Sequence, residues 1–383
     1  MGFQANDLIG QSRVKHLLDN ILNRERIAHA YLFSGPKGSG LLPFALRFAE
    51  QVNATETGSL PWHKHPDIHV FIPMPTSSSI DELNARLEWL KEDSYALVEY
   101  VDRPDSEKDR SKNKQAFYSI EYFRSDIRPV TRLRPFQGKK VVVIMTMVET
   151  MRKETANSFL KLLEEPSDGV MFILTTHHYE QLLPTITSRC QHIAFGQNTL
   201  QEVELALINH EGIPEKDAKL LVRLTQGNYG KTKTINVKDI QDSRDEVIDF
   251  LRKSFVIDAS SVQNLIQSWT SKHNIEGLIQ LIELMETFLR DLIVYQHGKN
   301  TDSLIHADAL ETIQNILKHV QEADFEQMIS LLHPLKKELA QNVNPKLLFT
   351  VLALNYARLM RGLSPKISTD RAYEHLPSIH LGS

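Results

Sequence analysis

Apolar positions follow two patterns along the chain. Up to Phe195, short continuous apolar runs alternate with stretches in which apolar residues recur every three or four positions; beyond it only the second pattern remains. Residues 30–34, 141–145 and 170–174 are continuous apolar runs of strand length. The second of these is β-branched at its start, as suits a central parallel strand covered on both faces. Residues 67–72 and 192–195 predict two further strands. Between the strands, 13–23 predicts an amphipathic helix with Val14, Leu17, Leu18 and Ile21 on one face, and 42–52, 80–90, 120–131 (interrupted at Pro129) and 154–164 predict four more. Alternation of buried strands with helices predicts an α/β fold with a doubly wound parallel sheet.

After Phe195 the periodicity is helical throughout. Residues 200–209 and 215–225 form a pair split by Gly212 and Pro214, and 227–233 reads as a boundary. Long amphipathic helices then run to about Met360. The strongest covers 275–295, with Leu278, Ile282, Met285, Leu289 and Leu292 at helical spacing, a stripe for a core or a subunit contact. The expected organisation is therefore an α/β domain over 1–195, a small helical domain over 196–240, an all-α domain over 241–361 and a loose polar tail over 362–383. Residues 101–115, rich in Asp, Lys, Arg and Ser, predict a flexible loop.

Composition narrows the chemistry. A formal net charge of −4 gives no whole-chain attraction to nucleic acid, so any such contact needs a local patch. The single cysteine, Cys190, excludes an internal disulfide and a multi-cysteine zinc site. No apolar run approaches the roughly 20 residues of a membrane span, and the first residues lack the apolar core of a secretion signal. A cytoplasmic location is expected.

The most informative segment is Phe33-Ser-Gly-Pro-Lys-Gly-Ser-Gly-Leu-Leu42, placed between a strand and a helix. Gly35 and Gly40 have the spacing of the two glycines in the phosphate loop G-x-x-x-x-G-K-[ST], whose backbone N–H groups cradle phosphates, whose lysine neutralises charge and whose hydroxyl holds Mg²⁺. Here Leu41 and Leu42 replace the lysine and the hydroxyl. Lys37 and Gly38 lie inside the loop, with Lys37 on the wrong side of the turn to substitute. Where such folds carry Asp-Glu after a central strand, this chain has Thr146 and Met147, with Glu149 further on and expected at the solvated surface. Two losses at the two places hydrolysis needs predict a shape-keeping turn: no bound cofactor and no metal.

These segments, together with Ala30-Tyr-Leu-Phe-Ser-Gly-Pro36, His65-Pro-Asp67, Thr155-Ala-Asn-Ser-Phe-Leu-Lys-Leu-Leu-Glu-Glu-Pro166, Leu183-Pro-Thr-Ile-Thr-Ser-Arg-Cys190 and Asn342-Val-Asn-Pro-Lys346, resemble the AAA+ clamp loaders of bacterial DNA replication. The resemblance runs from about Leu8 to Leu354. It implies an AAA+ domain, a helical lid over 196–240 and a helical oligomerisation collar over 241–361. It also implies a hetero-oligomeric ring with gamma/tau ATPase and delta subunits, acting on the sliding clamp and primer–template DNA. The degenerate loop points to a non-hydrolysing member. So does Gly227-Asn-Tyr-Gly-Lys231, where Gly230 stands at the place of a phosphate-sensing arginine and Lys231 is adjacent. Arg189, by the same resemblance, is an arginine finger for the neighbouring subunit's ATP.

Many relatives carry a four-cysteine zinc module that is absent here, and His63, His65, His69, His177 and His178 lack the spacing of a metal site. Arg124, Arg128 and Arg132 share a helical face and are candidates for direct DNA contact. The alternatives are a divergent motor that uses Lys37 and Glu149, or an AAA+ scaffold repurposed for recombination or regulation.

Overall fold

The computed structural model describes residues 8–24, 27–55, 58–75, 80–98, 116–301, 303–341 and 343–365. The loop expected at 101–115 and the tail from 366 lie outside the described residues. The chain divides into two compact units, residues 1–234 and 235–383. The division falls just ahead of the helix Val237–Val256, so residues 235–240 go with the helical unit and not with the expected lid.

In the first unit, strands β1 (Ala30–Ser34), β2 (Ile68–Phe71), β3 (Val141–Met145), β4 (Val170–Thr176) and β5 (Gln191–Ala194) form one parallel sheet in the order β2-β3-β4-β1-β5. β1, β3 and β4 are buried along their whole length, because helices cover both faces. On one face, α1 (Ser12–Asn23) and α2 (Leu41–Val52) pack Val14, Leu18, Phe44 and Phe48 onto Tyr31, Phe33 and Ile173. On the other, the helix Lys153–Glu164 sets Phe159 and Leu163 against Leu32, Val143 and Phe172. Leu17, expected on the buried face of α1, is 39% exposed: it lies beyond Ile21 around the helix, outside the arc that Val14, Leu18 and Ile21 bury.

Pro129 does not interrupt its helix. The chain is helical from Ile120 to Val130, with one widened turn at Phe123–Ile127 ahead of the proline. A proline has no N–H to give and its ring crowds the carbonyl four residues back; a widened turn accommodates both effects.

Two buried side chains fix the loop between this helix and β3. Asp67 accepts the N–H groups of Phe136, Gln137 and Gly138 at 2.8, 2.8 and 2.7 Å. Asn53 Oδ1 accepts those of Lys139 and Lys140, both at 2.9 Å, and its Nδ2 donates to Lys140 O. Burial disfavours the Asp67 carboxylate, yet the three donors outweigh it and hold its pKa below the ordinary range. Asp67→Ala strands these donors. It is expected to cost about 3 kcal/mol of stability by urea unfolding, with Asp67→Asn losing less because an acceptor remains.

In the second unit the helix Ile275–Gly298 is central. It buries Leu278, Ile282, Met285, Phe288, Leu289 and Leu292. Around it lie the helices Val237–Val256, Phe325–Ser330 and Leu332–Ala340. Phe250, Trp269, Phe349 and Tyr356 build an aromatic cluster, with the Trp269 ring 5.1 Å from Phe250 and 5.3 Å from Phe349.

Candidate functional site

The loop after β1 keeps the shape of a phosphate loop. Gly38 and Gly40 have φ of 81° and 87°, a backbone that non-glycine residues rarely adopt. α2 begins at Leu41, which is buried in the core, so its position holds an apolar anchor instead of a cation.

The space above the loop is occupied by the chain itself. Residues 94–98 and the Asn228–Gly230 turn line a cavity of about 80 Å³ together with Lys37, Gly38, Gly40 and Leu41. Small-molecule sites run to roughly 300 Å³ and more. A Cβ at Gly38 would lie 2.5 Å from Asn228 Cγ, and one at Gly230 only 2.6 Å from the Tyr95 carbonyl oxygen. Glycine at 230 is thus demanded by close backbone approach. No arginine fits there unless residues 94–98 move. Asn198 Nδ2 donates to Gly38 O at 3.1 Å, and the Ile9 N–H donates to Tyr95 Oη at 2.8 Å.

An ionic knot holds this arrangement. Lys233 Nζ lies 2.8 Å from both Asp93 Oδ2 and Glu211 Oε1, and Tyr229 Oη donates to the same Glu211 oxygen at 2.7 Å. The Lys233 and Tyr229 hydrogen bonds hold the Glu211 pKa below the usual carboxylate range. The Tyr95 and Tyr229 rings meet edge to face at 5.0 Å. None of Tyr95, Asn198 or Lys233 carried a sequence signal. Asn228 sat inside a quoted motif, but nothing in its identity marked it as a cover for Gly38.

At the end of β3, Thr146 is fully buried. Glu149 is not at the solvated surface, as the sequence led us to expect. Its Oε1 accepts the His177 N–H at 3.1 Å, and its Oε2 is buried. His177 Nδ1 in turn lies 2.9 Å from Gly35 O, so a chain of contacts joins the end of β3 to the phosphate loop. The turn between β4 and Tyr179 brings His177 there, where sequence reasoning saw only one of several histidines.

Arg189 lies apart from this cavity, just after the short helix Pro184–Thr187. Its Nη1 donates to Thr185 O at 2.9 Å, and its Nη2 pairs with Glu164 Oε1 at 2.8 Å, at the C-terminal end of Lys153–Glu164. The side chain remains 34% exposed. The neighbouring Cys190 thiol is pushed up to about 12 by burial, which leaves it un-ionised. Of the histidines weighed as ligands, His65 and His69 are tucked beside Asp67 and β2, and burial pushes the His69 pKa down. Among the described residues no three His, Cys, Asp or Glu side chains come together as a metal site. No helix among them is long and apolar enough to cross a membrane.

A parallel sheet with a strand–turn–helix loop of phosphate-loop type, a small cavity above that loop and a helical second unit define an α/β protein of P-loop type. A family model described as "DNA polymerase III, delta subunit" matches residues 10–199, and one described as "DNA polymerase III, delta subunit, C terminal" matches 239–358. The chain belongs to this DNA polymerase III delta-subunit family. It is 27% identical over 368 residues to the DNA polymerase III subunit delta' of Bacillus subtilis (strain 168), covering 92% of this chain and 97% of that protein. It is 23% identical to the DNA polymerase III subunit tau of the same organism, covering 90% of this chain but only 60% of that protein. A gamma-subunit-related protein of Thermotoga maritima superposes with a TM-score of 0.45 at 16% identity, covering 90% of this chain and 99% of that one.

Proposed function

We propose that this chain is a non-hydrolysing clamp-loader subunit of the delta-prime type, a rigid member of a ring that loads the sliding clamp for DNA replication. The observation that carries the reading is the filled phosphate site. Leu41 and Leu42 stand where the cation and the metal ligand are needed, and Tyr95 and Asn228 occupy the space for the phosphates. In a motor subunit, nucleotide is the material between lid and body. Here the knot of Lys233, Asp93 and Glu211 makes that joining without nucleotide, which suits a platform that does not cycle. The match over 97% of the delta' relative, against 60% of tau, supports the same assignment.

In this reading residues 196–234 are the lid, the second unit is the oligomerisation collar, and the partners are gamma/tau and delta subunits, with the clamp and primer–template DNA reached through the complex. Arg189 serves as a finger in trans. It is partly exposed, held between the short helix Pro184–Thr187 and the end of Lys153–Glu164, and presents the planar fork that suits a phosphate. The divergent-motor alternative would use Lys37 and some acid such as Glu149, and one oxygen of that carboxylate already accepts the His177 N–H.

Titration calorimetry of the isolated chain with ATP and magnesium tests the filled site. No heat of binding is expected at millimolar nucleotide, which corresponds to a binding free energy weaker than about −4 kcal/mol. Micromolar binding would overturn the reading and restore the motor.

A further inference from the structure

We propose that residues 366–383 turn back over the helix Pro345–Leu359 and cover a stripe of apolar side chains that this helix leaves open. The proposal is independent of the clamp-loader reading, because it concerns a contact within one chain.

The helix is enclosed around most of its circumference. From Leu348 to Met360 every residue is buried except Thr350, Val351, Leu354 and Arg358. Together with Leu347, the last three of these recur at steps of three or four, which stacks their side chains on one face. Leu347 is 60% exposed and Leu354 is 50% exposed, whereas Leu348, Leu352 and Leu359 of the same helix are buried. A helix face that meets water is ordinarily polar. Here the open face is apolar along its length, and Arg358 at its C-terminal end is its one charge.

The chain that follows leaves the helix on the side of this stripe. Gly362, at φ 69°, makes the turn. The Leu363 N–H returns to the Arg358 carbonyl at 3.0 Å, and Arg358 Nε donates to the Ser364 carbonyl at 2.8 Å. Arg358 belongs to the stripe, so the outgoing backbone is tied to the end of the surface it is proposed to cover. From Leu347 to Arg358 the helix rises about 16 Å, a span that about five extended residues match, and 18 residues follow Pro365. They supply Ile367, Tyr373 and Leu376 to meet the leucines, and Asp370 and Glu374 as counter-charges for Arg358.

Tethering favours this occupant over a separate molecule. A segment joined to the helix by a short turn meets the stripe at an effective concentration in the millimolar range, which a free partner must outbid. A second helix therefore packs on this face only by displacing residues 366–383, and the contact sets which surface of the helical unit is open to association.

Hydrogen exchange of the full chain, read by mass spectrometry at a concentration where sedimentation shows a monomer, tests the proposal. The reference is a synthetic peptide of residues 366–383. Amides of this segment are expected to exchange at least tenfold more slowly in the chain than in the peptide. Leu347→Asp with Leu354→Asp should return them to the peptide's rate, as should Tyr373→Ser with Leu376→Ser. Unchanged fluorescence of the buried Trp269 and unchanged circular dichroism keep these effects from being folding defects. Exchange at the peptide's rate in the wild type overturns the proposal, and so does slow exchange that both double variants leave untouched. A wild type with a freely exchanging segment also overturns it if the chain is a dimer that Leu347→Asp with Leu354→Asp dissociates, or if the stripe is protected only on adding a partner subunit. Those two results would give the stripe to a second copy or to another protein.

Discussion

On the proposed finger role, Arg189→Ala is expected to slow ATP turnover at the neighbouring subunit's site on the order of 10³-fold while leaving this subunit folded. The rate effect follows from what a guanidinium does in trans: it stabilises charge on the transferring phosphoryl group, with donors that cost no reorganisation when the reaction occurs. The small stability effect follows from the structure. Arg189 and Glu164 are 34% and 49% exposed, and such surface pairs contribute about 0–1 kcal/mol. Single-turnover phosphate release in the reconstituted complex, read beside thermal melting of the isolated subunit, separates the two. Arg189→Lys is expected to recover little of the rate, because a point charge lacks the fork. Turnover unaffected by Arg189→Ala would remove the finger from the function while leaving the filled phosphate site standing.

The second large effect lies in the helical unit. Arg244 Nη1 pairs with Asp308 Oδ1 at 2.7 Å, and the two side chains are only 8% and 9% exposed. Asp308→Ala leaves a guanidinium buried without its counter-charge and is expected to cost about 3–5 kcal/mol. Replacing both partners by apolar residues should cost much less, and urea unfolding followed by fluorescence of the buried Trp269 measures the difference.

His306 lies in the same polar core. Its backbone N–H donates to Asp291 Oδ2 at 2.6 Å. Thr287 Oγ1 donates to Leu284 O at 2.8 Å, so at 3.0 Å from His306 Nε2 it must accept, and the ring carries its proton on Nε2. Nδ1 is then a buried atom with no hydrogen-bond partner among the described residues. Burial above all, and then Arg244, push the His306 pKa down to about 3, with Asp308 opposing. The unfolded histidine titrates near 6.5. Below that pH the unfolded chain takes up a proton that the folded chain refuses, so stability falls by about 1.4 kcal/mol per pH unit from about pH 6.5 toward 3. The Asp308 carboxyl, held below its usual range against its own burial by Arg244, works in the same direction at the acid end. His306→Phe should flatten the slope between pH 6.5 and 4; an unchanged slope would mean that the ring is not dry.

What the sequence determined was local. Strands β1, β3 and β4 are buried on both faces, so apart from Ser34, Thr175 and Thr176 at their ends every residue is apolar and the runs were visible as such. The helix Ile275–Gly298 announced itself by a stripe repeating every turn. The loss of the phosphate-loop lysine could be read directly, because a residue's chemistry needs no coordinates. Tertiary structure decided everything that depends on residues distant in sequence coming together. Tyr95 and Asn228 crowd Gly230 and Gly38, while Asn198 and Lys233 tie the neighbouring segments down; they come from three separate stretches of the chain, and each is an ordinary polar or aromatic residue until the fold brings them together. Asp67 had been noticed only as part of a motif; its function in holding residues 136–138 exists because β2 and β3 are neighbours in the sheet. Glu149 sits after a strand end, where sequence favours solvent, and only the turn carrying His177 turns it inward. Periodicity reports which face of an element is dry, whereas the identity of the groups across that face is settled by which elements pack together.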